Sequence, residues 1–369
     1  MRRIKLTQLT PMMEDQRVVA ILGYYRGVAR NYYQLLPYTF KRFSILASIR
    51  TGFPTLKYYL TRTPLPSSPK PALFTMNILP PMMTVWYHFV RKYLGDKVDT
   101  VIFDCSGRLN PADFPHARVQ KFLNFYAATK SDEFLYHIAK YRKTGWICDD
   151  DMFPLSPRIL DILEREFSIP DTASVSFRPR DWWHFEINGK QYEPSSSYCT
   201  AINREIYIDK EHLSLSPCDG NTHPSRIGQE NRRYDTFDKA NEILLQKGYR
   251  CAIVPKQERD GCVTGFTGMA GAVMLLSYFK NPDQTLAYFL DPPKSQWQGN
   301  MLFGVLASML SVCTIQELYQ KLTGKRYLMP SLPKRSDLEK LRSDHKKYIR
   351  SDLSFDRVNE TSQRLWSAL

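Results

Sequence analysis

Between residues 70 and 170 the apolar positions fall into two alternating kinds of run. Short blocks at 72–78, 98–103 and 145–148 read as strands, while 84–94 and 122–141 carry apolar residues at helical spacing. Gly95 follows the first of these helices as a natural C′ residue. Ser156-Pro157 opens another helix, through residue 167, with proline at its first position. Strand, helix, strand, helix, strand predicts a sheet with parallel strands. Ligands of such sheets gather beyond the carboxyl ends of the strands. Two acidic positions stand at such ends, Asp104 and the run Asp149-Asp150-Asp151.

On either side the pattern changes. Residues 17–62 mix aromatic, aliphatic and basic side chains in a way that suits interrupted amphipathic helices, and a Pro- and Ser-rich linker follows at 63–71. Past residue 172 the chain is irregular and aromatic-rich as far as Tyr198, and a helix is predicted over 236–247, stopped by Gly248. From Pro330 the sequence turns polar, and Ser336 with Glu339 has capping-box spacing. The expected division is a basic helical region (1–70), an α/β core (71–260) and a helical C-terminal region (261–369). The apolar runs at 269–279 and 301–313 fall short of the ~20 residues that cross a bilayer, so no spanning segment is expected.

The composition, 43% hydrophobic in 369 residues, is that of a globular chain. A formal net charge of +14 points to an anionic partner. From Gln16 to Gly95 there are eleven Lys or Arg residues and no Asp or Glu, interleaved with aliphatic side chains. That mixture suits either helices packed on a core with a solvated basic face or a surface lying on anionic lipid headgroups; a cytoplasmic protein is the expectation, peripheral to the inner face of a membrane on the second reading. Seven cysteines without a CxxC pair agree with reduced thiols, and Cys105 and Cys148 fall inside apolar runs.

Three consecutive carboxylates repel one another. At a strand exit, a hard divalent cation with oxygen ligands relieves that repulsion, and a diphosphate completes its shell. A divalent cation held by this run is the chemistry the residues suggest, with His223 or His184 as a further ligand. Trp182 and Trp183 are candidates for stacking on a sugar ring or for core packing. Arg178 and Arg180 are either a phosphate clamp or a solvated pair.

The run Gly145-Trp146-Ile147-Cys148-Asp149-Asp150-Asp151 resembles the apolar strand and DxD motif of nucleotide-sugar glycosyltransferases of the GT-A fold. That resemblance implies an α/β, Rossmann-like, mostly parallel sheet with helices on both faces, plus helical N- and C-terminal regions. It further implies a nucleotide-sugar donor and a glycan or lipid-linked acceptor. Asp104 and Ser106 would then meet the nucleobase or ribose, Asp149 and Asp150 would belong to the nucleotide site, and Asp149 and Asp151 would hold Mn²⁺ or Mg²⁺ on the diphosphate. Residues 197–207 resemble the acceptor-side segment before a small helix. Tyr234-Asp235, standing where family members have a Glu-Asp pair, makes Asp235 the expected base of an inverting transfer. Asp235 also fits the lead-in of the helix predicted at Thr236.

Three other classes compete. A Mg²⁺-dependent nucleic-acid enzyme would use the basic stretch on a phosphate backbone, although no recognised nucleic-acid motif is present and no nucleic acid is expected as partner. A phosphohydrolase would use Asp104 as nucleophile, but Ser106 stands where that chemistry wants a second carboxylate. A membrane scaffold would leave the aspartates merely exposed.

Overall fold

The structure is a computed structural model that describes residues 45–122, 130–180, 184–216, 218–219, 233–290, 301–348 and 353–369. Seven of its strands form one sheet in the order β12-β6-β9-β4-β1-β2-β3. These are β1 (Ala72–Asn77), β2 (Asp99–Asp104), β3 (Ala117–Lys121), β4 (Thr144–Cys148), β6 (Thr172–Ser176), β9 (Cys199–Asn203) and β12 (Arg250–Ile253). Only β9 runs against the rest, wedged between β4 and β6. The fold is thus the expected α/β class: a mostly parallel, Rossmann-like sheet with helices on both faces.

Successive strand residues point to opposite faces, and both faces are covered, which is why these strands read as unbroken apolar runs. Leu73, Ile102, Trp146 and Val175 face one core, shared with α2 (Pro80–Tyr93), α4 (Arg158–Phe167), α7 (Met269–Tyr278) and α9 (Met301–Thr323). Phe74, Val101, Phe103, Ile147 and Ala173 face the other, shared with α1 (Ile45–Thr61), α3 (Lys130–Ile138) and α5 (Asp238–Gln246). The remaining elements are the β5–β13 pair (Met152–Pro154, Val263–Gly265), the β7–β8 ribbon (Phe185–Ile187, Lys190–Tyr192) and β10–β11 (Cys218–Asp219, Arg233–Tyr234). Four helices complete them: α6 (Lys256–Asp260), α8 (Pro282–Leu290), α10 (Arg335–His345) and α11 (Leu353–Ala368).

Several expectations need correction. α2 begins at Pro80 rather than residue 84, because a first-turn proline gives up only a donor the helix does not use. Of the helical pattern at 122–141, the described residues hold a helix at Lys130–Ile138, with β3 ending just before the pattern and 123–129 lying outside the described residues. α10 starts before Ser336 with Lys334 as a cap that makes no side-chain bond, so the Ser336–Glu339 capping box is not formed. α5 starts at Asp238, not Thr236, because buried Phe237 takes a left-handed backbone with φ of 74°. The apolar run ending at 313 continues as helix to Thr323, long and apolar enough to cross a membrane, yet 72% of its most apolar stretch is buried in the fold.

Candidate functional site at the switch point of the sheet

From β1 the sheet grows one way through β2 and β3 and the other way through β4, so the strand order reverses between β1 and β4. A crevice opens at such a reversal, at the carboxyl ends. Here β1 ends on Asn77, and β4 runs out into Asp149, Asp150 and Asp151, all half-buried. Asn77 is fully buried; its Nδ2 donates to Asp150 Oδ2 at 3.1 Å and to the Leu79 carbonyl at 2.8 Å. The Asn77 Oδ1 makes no hydrogen bond among the described residues.

The backbone of the acidic run is pinned from three sides. Asp149 N donates to the Tyr198 carbonyl at 2.8 Å, Met152 N to the Asp149 carbonyl at 3.0 Å, and Phe266 N to the Asp151 carbonyl at 2.9 Å. The last contact requires β13 to press close. A Cβ on Gly265 would meet Met152 Sδ at 2.2 Å and the Asp151 carbonyl at 2.8 Å, so only glycine fits there. Thr361 of α11, itself buried, donates to the Gly265 carbonyl at 3.0 Å. The last helix of the chain thereby braces the triplet.

Tyr198, next to β9, collects the charges of the site. Burial raises its hydroxyl's pKa above the ordinary value; Arg180 pulls it down, Asp149 and Asp151 push it up, and Arg178 pulls it down again. Two carboxylates and two guanidinium groups therefore lie within electrostatic reach of one phenol. Arg178 also sits 5.6 Å from the Tyr198 ring centre.

Arg180 is not the solvated or phosphate-clamping residue that sequence allowed. It is buried, with Nη1 on Asp235 Oδ2 at 2.9 Å, Nη2 on the Thr236 carbonyl at 3.0 Å and Nε 3.2 Å from Asp238 Oδ1. Burial opposes its charge, and Asp238 and Asp235 more than offset that, raising its pKa. Asp238 is fully buried and also accepts from Asp235 N at 2.9 Å. The arginine thus ties the exit of β6 to the entry of α5. Asp235 accepts from Thr236 N at 2.8 Å and from Arg180, while 52% of its side chain remains exposed.

Asp104, expected with Ser106 at the nucleoside, has no exposed surface; its Oδ1 accepts from Ser106 N at 3.0 Å, Ser106 Oγ at 2.5 Å and Gly107 N at 2.9 Å, and its Oδ2 from Leu109 N at 3.1 Å. A carboxylate so engaged shapes the loop after β2, and Ser106 stays half-buried on that loop. The same loop presents Arg108, whose Nη1 donates to Tyr327 Oη at 3.0 Å. Arg108, Tyr327, Ile78, Leu79, Lys280 and Met329 line a cleft of about 340 Å³ beside the end of β1. A larger cleft of about 680 Å³, lined by Pro71, Lys97 and Thr144, lies at the opposite, amino end of the strands.

Among the described residues no three His, Cys, Asp or Glu side chains gather as a ready-made metal nest. Asp149 and Asp151 supply hard oxygen donors, and Mg²⁺-type ions are commonly held by one or two carboxylates plus phosphates and water. The donor set therefore fits a cation that arrives with a diphosphate better than a resident one. His184 lies at the entry of the β7–β8 ribbon and is not part of such a nest. His223, Trp182 and Trp183 lie outside the described residues.

Sequence reasoning missed Asn77, Arg108, Tyr198, Asp238 and Gly265. Asn77 had a signal, as a polar residue closing an apolar strand. Gly265 had only its glycine.

No protein-family model matches the chain, and no curated protein matches it. Among solved structures, the mannosyltransferase PcManGT from Pyrobaculum calidifontis in complex with GDP-Man and Mn²⁺ matches over 88% of this chain and 95% of that chain, at 14% identity and a TM-score of 0.37. At that distance no residue's role carries across.

Proposed function

We propose that the chain is a glycosyltransferase that moves a sugar from a nucleotide-sugar donor to a glycan or lipid-linked acceptor. One observation carries the reading: three aspartates stand at the switch point of an α/β sheet, and one of them, Asp150, is bonded to the end of β1, where a cleft lined by Arg108 and Lys280 opens. A nucleoside would rest against Ile78 and Leu79, with Arg108 and Lys280 supplying positive charge near its phosphates. The diphosphate would reach Asp149 and Asp151, which would hold Mn²⁺ or Mg²⁺ together with it. Bound there, the cation offsets the negative charge that builds on the departing diphosphate.

The chain's own groups do the rest. Asn77 holds the Asp150 carboxylate, and the β13 contact holds the backbone of Asp151, before any ligand enters, which lessens the reorganisation left for the reaction. Asp235 takes the proton of the acceptor hydroxyl as its oxygen bonds to C1 of the sugar and the bond from C1 to the phosphate oxygen breaks. A single displacement of this kind inverts C1. Arg180 keeps the Asp235 carboxylate oriented.

A thermal-shift screen of nucleoside diphosphates and nucleotide sugars, with and without Mn²⁺, tests the reading. The expected result is a rise in Tm for one nucleotide class that depends on Mn²⁺. A flat response across all nucleotides, with or without metal, rejects it.

A further inference from the structure

From residue 50 onward α1 is built inside out. Over that part Thr51, Thr55 and Tyr58 are buried, whereas Phe53, Leu56 and Leu60 are 74%, 53% and 58% exposed. At about 100° per residue, each trio covers roughly 60° of the helix, and the two arcs lie on opposite sides. The inner polar groups are satisfied. Thr55 Oγ1 donates to the Thr51 carbonyl at 2.6 Å, and the Tyr58 hydroxyl bonds to Glu133 and His137 within a ring of Phe103 and Phe122. Among the described residues, nothing in the packing of α1 requires large apolar residues on its outer side. Exposed Lys57 and Arg50 flank the stripe on one edge, about 70° and about 90° from its centre. The helix lies within the stretch of eleven basic and no acidic residues that runs from Gln16 to Gly95.

We infer that this outer face docks onto an anionic lipid bilayer, with Phe53, Leu56 and Leu60 entering the boundary between headgroups and acyl chains. Arg50 and Lys57 meet the lipid phosphates. An apolar stripe edged by cations is the pattern of a helix lying in a membrane interface. Charge complementarity singles out anionic lipid over a second copy of the chain, which would bring the same cations face to face.

The placement also bears on the site. At Gly107, with φ of 65°, an added Cβ would approach Arg50 Cβ and Thr51 Cγ2 to 3.0 Å, so α1 lies directly on the loop that presents Arg108. A bilayer on the outer side of α1 would lie about one helix diameter, ~10 Å, from that loop. This favours a lipid-linked acceptor, a clause that rests on the proposed sugar transfer; the docking itself does not.

Flotation of the full chain with phosphatidylcholine vesicles, with and without phosphatidylserine, tests the docking without any transfer assay. The expected result is flotation that increases with phosphatidylserine. In a Phe53→Gln/Leu56→Gln/Leu60→Gln variant of unchanged Tm, it falls at least about tenfold. An Arg50→Gln/Lys57→Gln variant should lose the preference for phosphatidylserine. A wild-type chain that stays with the soluble fraction, or a triple variant that floats like wild type, overturns the inference. So does equal flotation with both vesicle types, or a triple variant altered only in oligomeric state, which would assign the stripe to a second copy. Absence of flotation together with a metal-dependent nucleotide response would leave the transfer reading standing.

Discussion

The side-chain amide of Asn77 donates to Asp150 Oδ2 at 3.1 Å, joining the ends of β1 and β4 across the point where the strand order reverses. The bond holds one member of an acidic run in a fixed orientation from a strand that precedes it by more than seventy residues of sequence. A hydrogen bond to a charged group contributes about 1.5–3 kcal/mol, so Asn77→Ala should weaken Mn²⁺-dependent nucleotide binding roughly tenfold. Calorimetric titration of wild type and variant reads the change. Undiminished affinity would show that Asp150 needs no such support.

Arg180 and Asp235 are paired, but their substitutions should differ. Removing Arg180 leaves buried Asp238 without its cation, and Arg180→Met should cost about 3–5 kcal/mol of stability in chemical denaturation. Asp235 is half exposed, so Asp235→Asn should change stability by less than about 1 kcal/mol. The same variant should lower kcat on the order of 10²–10⁴-fold with little change in donor affinity. Retention of full kcat would remove Asp235 from the role of base.

Gly265 is the third point of leverage. Gly265→Ala drives a methyl into Met152 Sδ and the Asp151 carbonyl, and should destabilise the fold by about 1–3 kcal/mol. Because the strain falls on the backbone of the triplet, metal-dependent nucleotide binding should drop even at temperatures where the variant is folded. Thermal denaturation with and without nucleotide and Mn²⁺ separates the two effects.

A fourth expectation concerns acid. Burial, aided by Arg118 and Arg62, lowers the pKa of His137 to about 4 from an ordinary value of 6.5. The folded chain therefore holds His137 neutral where the unfolded chain protonates it, and stability is lost as pH falls from about 6.5 towards 4. The depression corresponds to about 3 kcal/mol at most. Denaturant midpoints at several pH values should show this loss in wild type and a shallower one in His137→Gln.

The sequence marks the sheet well and its margins poorly. β1, β2 and β4 are buried on both faces, so their apolar runs stand out without any partner in view. β3 carries the mixed pattern of an edge strand, and the helical spacing that follows it masked it. The antiparallel course of β9 depends on which neighbours it pairs with, a long-range matter that local pattern does not contain. At the site, the acidic triplet announced itself because like charges at a strand exit are costly. Asp104 is less telling: an aspartate at a strand end looks the same in sequence whether it meets a ligand or folds its own loop. Tyr198 and Asp238 acquire their environments only when β9 and α5 arrive from later in the chain. The exposed stripe on α1 was legible as apolar but not as outward-facing, since its inner face is filled by threonine and tyrosine.

The most direct test is calorimetric titration of Mn²⁺ into the chain with and without a nucleoside diphosphate, repeated on Asp149→Asn/Asp151→Asn. Two carboxylates without a third protein ligand should hold Mn²⁺ weakly alone and at least about tenfold more tightly with the diphosphate present, and the double variant should lose that coupling. Mn²⁺ affinity indifferent to the diphosphate, or coupling that survives the loss of both aspartates, would contradict the assignment of the triplet as the centre of the site.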